Sequence, residues 1–326
     1  YQRHWDVVGE DVTIAVLGFL NGGELPLGLN DTAITLIPKV RNPQKISQFR
    51  PIALCPVLYK IAVKVAANRT RLILDEVIGE EQSAFVPGRL ITDNVLVAYE
   101  SIHAIKRRKK GKNACCAVKI DMLKAYDRVE WHYLEAMLFR LGFGDNFIRL
   151  IMKCVTSVRF TIKVNGDLLP YFTPSRGLRQ GCPMSPYLFL ICAQGLTSLL
   201  NNFGGAYVDR GIRVSVHAPW VNHLLFAVDS LIFLSAKSQS IERLNEILGI
   251  YAECSGQAVN REKSSIFFSA NTGQPLRETL KFSLGIQVEA FSERYLGLQT
   301  VTGKITSGTF EHMVDRCRDK LRGWSE

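Results

Sequence analysis

The stretch LLFAVDSLIF, residues 224–233, reads as two short apolar strands around a tight bend that carries a single acid, Asp229. Apolar runs of this length bounded by a turn signal are the mark of buried strands. An isolated carboxylate at such a bend calls for a partner, and a second acid ends another strand-like run, CCAVKID at 115–121. Working outward, the residues between and after these two runs alternate helix and strand signals. Trp131, Leu134, Met137, Leu138 and Leu141 keep helical spacing up to Gly142. SVRFTIKVNGDLL (157–169) predicts a hairpin turning at Asn165-Gly166. In SPYLFLICAQGLTSLL, Ser185 suits an N-cap and Pro186 the first helical position of a core helix that is apolar nearly all round. Ile241, Leu244, Ile247, Leu248 and Tyr251 share one face of an amphipathic helix ended by Gly256, and KSSIFFS (263–269) returns as a strand. The order over 115–269 fits a ferredoxin-like βαββαβ layout, an antiparallel sheet with helices on one face, within an α+β fold.

That layout sets the end of the first strand beside the bend of the hairpin, so Asp121 and Asp229 converge from distant parts of the sequence. Two carboxylates brought together repel unless a cation sits between them. Mg²⁺ suits such a pair, since it takes a few carboxylates and completes its shell with water and phosphate oxygens. The plain alternative is that Asp121 caps a helix start and Asp229 a turn.

Composition bounds the partners. The chain has 326 residues, is 47% apolar, and carries 40 Lys and Arg against 30 Asp and Glu, a formal charge of +10. Such a chain is globular, and its charge favours a polyanion such as nucleic acid or an anionic surface, although a scatter of surface lysines gives the same sum. The eight cysteines form no CxxC pair and no Cys/His ligand spacing, which argues against a zinc site and for buried free thiols in a reducing compartment, nuclear or cytoplasmic. The run PYLFLICAQGLTSLL is interrupted by Gln194 and too short to span a bilayer, no signal peptide is visible, and no membrane partner is expected. The chain starts at Tyr1 and ends at RCRDKLRGWSE, which leads us to expect a piece of a longer protein.

Upstream, a helical pattern around Val12, Ile14, Val16 and Phe19 closes at Gly22-Gly23. ITLIPKV (34–40) and FRPIALC (49–55) are strand-like and joined by a polar loop. A long helix follows over 57–78, where Lys60, Lys64, Arg69 and Arg71 make either a basic binding face or an ordinary solvated one. The basic run KRRKKGK (106–112) is likewise a phosphate contact or a solvated helix end.

Eight ordered blocks carry a resemblance: LNDTAITLIPKV, FRPIALC, QSAFVPGRLITDN, KIDMLKAYDRVEW, SRGLRQGCPMSP, the FAVDS hairpin, SGQAVNREKS and RYLGLQT. Together they resemble the reverse transcriptase domain of LINE-type (non-LTR) retrotransposons, most closely the plant copies, almost end to end. The resemblance implies a right-hand polymerase that copies an RNA template into DNA from a DNA primer and dNTPs with two Mg²⁺ ions. It divides the chain into an N-terminal extension (1–28), fingers (29–114), a ferredoxin-like palm with interleaved finger elements (115–290), and the primer grip with the start of a truncated thumb (291–326). Asp121 and Asp229 then match metal-binding catalytic acids, and Tyr126 a steric gate against the ribose 2′-hydroxyl. Gln180 and Gly181 match the loop that packs on the incoming nucleotide and template, Lys39 and Arg50 the fingers cations that reach its triphosphate. Lys263 matches a lysine that protonates pyrophosphate, and Tyr295, Leu296 and Gly297 the primer grip.

Three positions depart from the family pattern. Val228 stands where the first of two adjacent aspartates is expected, the one that ligates metal with Asp121. Cys182 stands where an acid is expected, and Leu123 where a small polar residue is expected. Valine offers a metal no lone pair, and strand alternation would point Asp229 away from the lost ligand's face. The expectation is a reverse transcriptase domain with impaired chemistry. An active polymerase that tolerates Val228, an inactive nucleic-acid-binding remnant and a translated relic stay open beside it.

Overall fold

The computed structural model describes residues 1–202, 210–289, 294–296, 298–299 and 311–322. Helix α1 (Trp5–Leu20) turns Val12, Val16 and Phe19 inward at helical spacing. Strands β1 (Asp31–Pro38) and β2 (Phe49–Leu54) follow, then α2 (Val57–Val77) and α3 (Ile91–Arg107). The acid-ended run becomes β3 (Cys115–Ile120), succeeded by α4 (Trp131–Arg140) and α5 (Asp145–Thr156). The Asn-Gly hairpin is β4 (Arg159–Val164) and β5 (Asp167–Leu168), and the apolar core helix is α6 (Ser185–Asn202). The opening stretch gives β6 (His223–Phe226) and β7 (Asp229–Ser235), followed by α7 (Ser238–Ser255), β8 (Ser265–Phe268) and α8 (Gln274–Leu284). Two short strands, β9 (Arg294–Tyr295) and β10 (Leu298–Gln299), precede α9 (Glu311–Arg322).

The chain forms two units that alternate along the sequence. The first holds Tyr1–Arg89, Met122–Val208 and Leu244–Val259. Its sheet runs β2-β1-β4-β5. Strand β1 is antiparallel to β2, with Ile37 opposite Arg50, and parallel to β4, with Ile34 opposite Ile162. Asn165 and Gly166 both have positive φ, 52° and 102°, the type I′ turn that their dipeptide predicts. Helices α2 and α6 are core helices: Tyr59, Val63, Ala67 and Leu74 on the first, and Leu190, Ile191 and Cys192 on the second, are almost wholly buried. Lys64, Arg69 and Arg71 lie on the exposed side of α2.

The second unit holds Leu90–Asp121, Asp209–Arg243 and Asn260–Glu326. Its sheet runs β6-β7-β3-β8 with every neighbour antiparallel. The first and third strands in chain order therefore lie in the centre, as a ferredoxin-like sheet requires. Alternation along the strands aims Cys115, Ala117, Leu224, Leu231 and Phe233 at one core, which Val95, Ala98, Ile102 and Ile105 of α3 cover. Helix α8 ends at Gly285, whose φ of 66° closes the last turn. Among the described residues no helix is long and apolar enough to cross a membrane.

Candidate active site

In the second unit the β6–β7 hairpin pairs Phe226 with Asp229, leaving Ala227 and Val228 as a two-residue turn. Only the first of these has positive φ, 52° at Ala227, the sign pattern of a type II′ turn, which suits the twist of the flanking strands. On the neighbouring edge of β7, Ile120 pairs with Ser230. Continued by one position, that register sets Asp121 opposite Asp229. Directly opposed residues of an antiparallel pair share a face, so Asp229 is the hairpin residue that turns toward Asp121. Val228 itself belongs to the turn and not to the strand.

The electrostatics agree with this register. Burial pushes the Asp229 carboxyl above its ordinary pKa, and the Asp121 charge adds to the rise while Lys119 opposes it. Crowded carboxylates of this kind suit a divalent cation between them. Among the described residues no group of three or more His, Cys, Asp or Glu side chains is placed to hold a metal.

The backbone of Asp121 is locked from below. Its N–H donates to Ser264 Oγ (3.1 Å), that hydroxyl donates to the Asn260 carbonyl (2.8 Å), and the Asn260 N–H donates to the Asp121 carbonyl (2.8 Å). Lys263 sits in the same turn, its N–H on the Asn260 carbonyl (3.2 Å) and its side chain exposed. Sequence reasoning singled out Lys263 and missed Asn260 and Ser264, although all three share the NREKS block.

The hairpin has a second support that the sequence did not reveal. Asn94, 3% exposed on α3, donates through Nδ2 to the Leu225 carbonyl (3.1 Å) and accepts from the Tyr295 hydroxyl (2.9 Å). Tyr295 is thus a core side chain, 2% exposed, and burial together with the Asp229 charge pushes its phenol up. Leu296 is partly buried against the same core. Gly297 lies outside the described residues.

In the first unit, Tyr126 occupies a 3-10 turn, Ala125–Arg128, and stacks flat on Phe189 with centroids 5.1 Å apart. Burial pushes its pKa up to about 12. The SRGLRQG segment runs beside this turn: the Leu178 N–H donates to the Tyr126 carbonyl (2.7 Å) and the Gly177 N–H to the Val129 carbonyl (2.8 Å). Desolvation pushes the Asp127 carboxyl up, with Lys124, Lys39 and the Gln180 side chain opposing the rise. Lys39 and Arg50 both belong to the β1–β2 ribbon and are exposed. Gly181 has φ 114° and lies so close to β2 that a Cβ there would come within 2.7 Å of the Ala53 carbonyl oxygen. Only glycine meets both conditions. The structure thus gathers Lys39, Asp127 and Gln180 and seats Gly181 on β2. Asp127 was missed although it adjoins Tyr126. Leu123 is exposed, and Cys182 is buried in the segment that follows Gly181.

Comparison with known proteins gives this arrangement its context. Residues 37–300 match the family described as reverse transcriptase (RNA-dependent DNA polymerase). A transposon TX1 149 kDa protein of Xenopus laevis is 30% identical over 267 residues, covering 81% of this chain and 20% of that protein. A retrovirus-related Pol polyprotein from a type-1 R2 retrotransposable element of Popillia japonica is 25% identical, covering 80% and 35%. The chain thus spans between a fifth and about a third of these relatives. Among solved structures, a Candida tropicalis telomerase in complex with a fragment of telomeric RNA superposes with a TM-score of 0.57 at 14% identity, covering 93% of this chain and 49% of that one. At that identity the likeness shows the fold alone, the right-hand polymerase fold that the motif blocks imply. With over three quarters of its length matched and its relatives encoded by retrotransposons, the chain belongs to the reverse transcriptase (RNA-dependent DNA polymerase) family.

Proposed function

We propose that this is the RNA-directed DNA polymerase domain of a non-LTR retroelement, with nucleotidyl transfer weakened by Val228. The observation that supports the reading is the β3–β7 register, which ends at Ile120 and Ser230 and so leaves Asp121 and Asp229 next to each other at the end of an antiparallel sheet, in a chain of this family. Those two carboxylates fit Mg²⁺ and would hold it. When bound, Mg²⁺ lowers the pKa of a primer 3′-hydroxyl and neutralises charge on the triphosphate. The chain's own residues supply the rest. Lys39 and Arg50 offer charge-assisted donors to the triphosphate of a dNTP. The Tyr126 ring, kept from swinging by its stack on Phe189, bars a 2′-hydroxyl. Gln180 and Gly181 carry the surface for nucleotide and template. Lys263 gives its proton to the departing pyrophosphate. RNA template and DNA primer are the polyanions that a charge of +10 suits.

The domain division belongs to the same proposal: extension 1–28, fingers 29–114, palm 115–290, primer grip and start of thumb 291–326. We move α3 to the palm, because its buried face is part of the core of that sheet.

Val228 removes one oxygen from the metal site. Loss of an outer-shell partner alone costs about 10–100-fold in metal affinity or activity, and loss of a direct ligand costs more. A second reading, an active polymerase that tolerates Val228, is favoured by the register that turns Asp229 toward Asp121. Single-nucleotide primer extension on an RNA template, in Mg²⁺ and in Mn²⁺, separates them. The first reading expects extension by Val228→Asp protein only, abolished by adding Asp121→Ala. Asp121-dependent extension by the native chain establishes the second. No extension by either protein removes the polymerase reading, and salt-dependent binding to an RNA–DNA hybrid then tests for a binding remnant.

A further inference from the structure

Arg179 is a buried cation, 7% exposed, that no carboxylate pairs among the described residues. Its guanidinium lies over the Tyr59 ring at 4.3 Å. It donates to Asn30 Oδ1 (2.5 Å), Thr32 Oγ1 (3.3 Å), the Cys154 carbonyl (2.9 Å) and the Tyr59 hydroxyl. Neutral acceptors satisfy its N–H groups but leave its charge uncompensated, which is costly in a core. The groups around it able to become anions are Cys55, Cys154, Cys182 and Tyr59. Lys60 and Lys153 are the further charges felt within the cluster.

Of these, Cys182 is built to be the anion. The Cys55 thiol, the Met184 backbone and the Ser185 hydroxyl all favour its anion, and the Ser185 N–H donates to the Cys182 carbonyl (3.2 Å), which places the residue against the first turn of α6. The helix N-terminus and Arg179 thus act on the same residue, the setting that makes a cysteine a thiolate near neutrality. The Cys55 thiol and Arg179 hold the Cys182 thiol below the usual range against burial, while Cys182 and burial raise that of Cys55. The Cys182 sulfur is also reachable. It lines a cavity of about 310 Å³ together with Tyr59, Cys154 and Arg179, whose rim includes the exposed Phe172 and Arg176. The sulfurs are not placed to hold a metal ion.

We propose that Cys55 and Cys182 are an oxidisable dithiol, a modification site for small hydroperoxides, whose closure clips the Gln180–Gly181 loop to the end of β2. The Cys182 thiolate attacks the outer oxygen of a hydroperoxide. The O–O bond breaks, a proton from solvent completes the departing alcohol or water, and Cys182 is left as a sulfenic acid. The Cys55 sulfur, giving up its proton, then attacks the Cys182 sulfur and expels hydroxide, which takes that proton as water. Two thiols and one hydroperoxide thus become one disulfide, one alcohol or water, and one water. The backbone is already set for this clip: the Ala53 N–H donates to the Gln180 carbonyl at 2.7 Å, two residues before each cysteine. The inference holds whether or not the chain polymerises.

The test is hydrogen peroxide on the whole native chain at pH 6 and pH 8, followed by alkylation under denaturing conditions and peptide mapping. We expect a Cys55–Cys182 cross-link, and in Cys55→Ser protein a dimedone-trapped sulfenic acid at Cys182. We expect the Cys182 rate to change less than about threefold between the two pH values, where a free thiol of pKa near 8.5 changes roughly 80-fold. Oxidation confined to the exposed Cys254 and Cys317 overturns the proposal. So does a Cys182 rate with the pH dependence of a free thiol, or one no faster than global unfolding.

Discussion

Val228→Asp is the perturbation that tests the geometry of the acidic end without asking for catalysis. It adds a third carboxylate beside two that already crowd each other, since Asp121 raises the pKa of Asp229. The new carboxylate adjoins Asp229 along the chain, and we take its distance from the nearest charge as about 5 Å. Two charges at that distance repel by about 1–3 kcal/mol at effective dielectrics between those of water and a protein surface. At roughly 2 °C per kcal/mol for a chain of this size, the metal-free variant melts about 2–6 °C below the native protein. Mg²⁺ at ten times its Kd returns about 1.4 kcal/mol, or about 3 °C. Circular dichroism melts in EDTA and across a Mg²⁺ titration read both quantities. Asp121→Asn in the variant background should raise the metal-free melting temperature and erase the Mg²⁺ response. Identical melts for native and variant protein in EDTA refute the reasoning, as does a Mg²⁺ response that survives Asp121→Asn, because either result means that the three carboxylates do not meet at the end of the sheet.

Two further outcomes follow from buried polar groups. Asn94→Ala strands the Leu225 carbonyl and the Tyr295 hydroxyl, both buried, at about 1–3 kcal/mol each; a urea-unfolding loss of about 2–5 kcal/mol is expected, and one under 1 kcal/mol means that the hairpin does not depend on this bond pair. Tyr126 has its pKa raised to about 12 by burial, so its folded form prefers the neutral phenol and stability falls as pH rises from 10 toward 12; Tyr126→Phe should match the native protein at pH 7 and exceed it by about 1 kcal/mol at pH 11, and equal stability at both pH values places the hydroxyl in water.

What the sequence disclosed was whatever a local period or turn residue encodes. The β1–β2 pieces, the Asn165-Gly166 hairpin, the core helix from Ser185 and the central sheet from 115 to 269 were all readable, because alternation and turn chemistry act within a few residues. The parallel joint of β1 with β4 was not, since nothing in ITLIPKV says which distant strand will flank it. Helix α5 was missed beside the stronger signals around it, although Ile148, Ile151 and Cys154 face the core at helical spacing. Helix α3 went unread as well, its end noticed only as a basic run.

The hairpin at 224–233 shows most clearly where such reading stops. Its strands were legible, but which residue faces Asp121 depends on where the ladder ends. A glycine at the first turn position would have announced a two-residue II′ turn; Ala227 takes the same positive φ without the signal. One residue of register then decides the chemistry. With Val228 in the turn and Asp229 opening the strand, the register carries Asp229 toward Asp121. The same limit hid Arg179 and Cys182. The sequence marks Cys182 only as a departure from an expected acid, and the buried guanidinium gives that departure its physical meaning. Cys182 shares a cavity with Arg179 and stands just before α6, a setting that spacing along the chain does not announce.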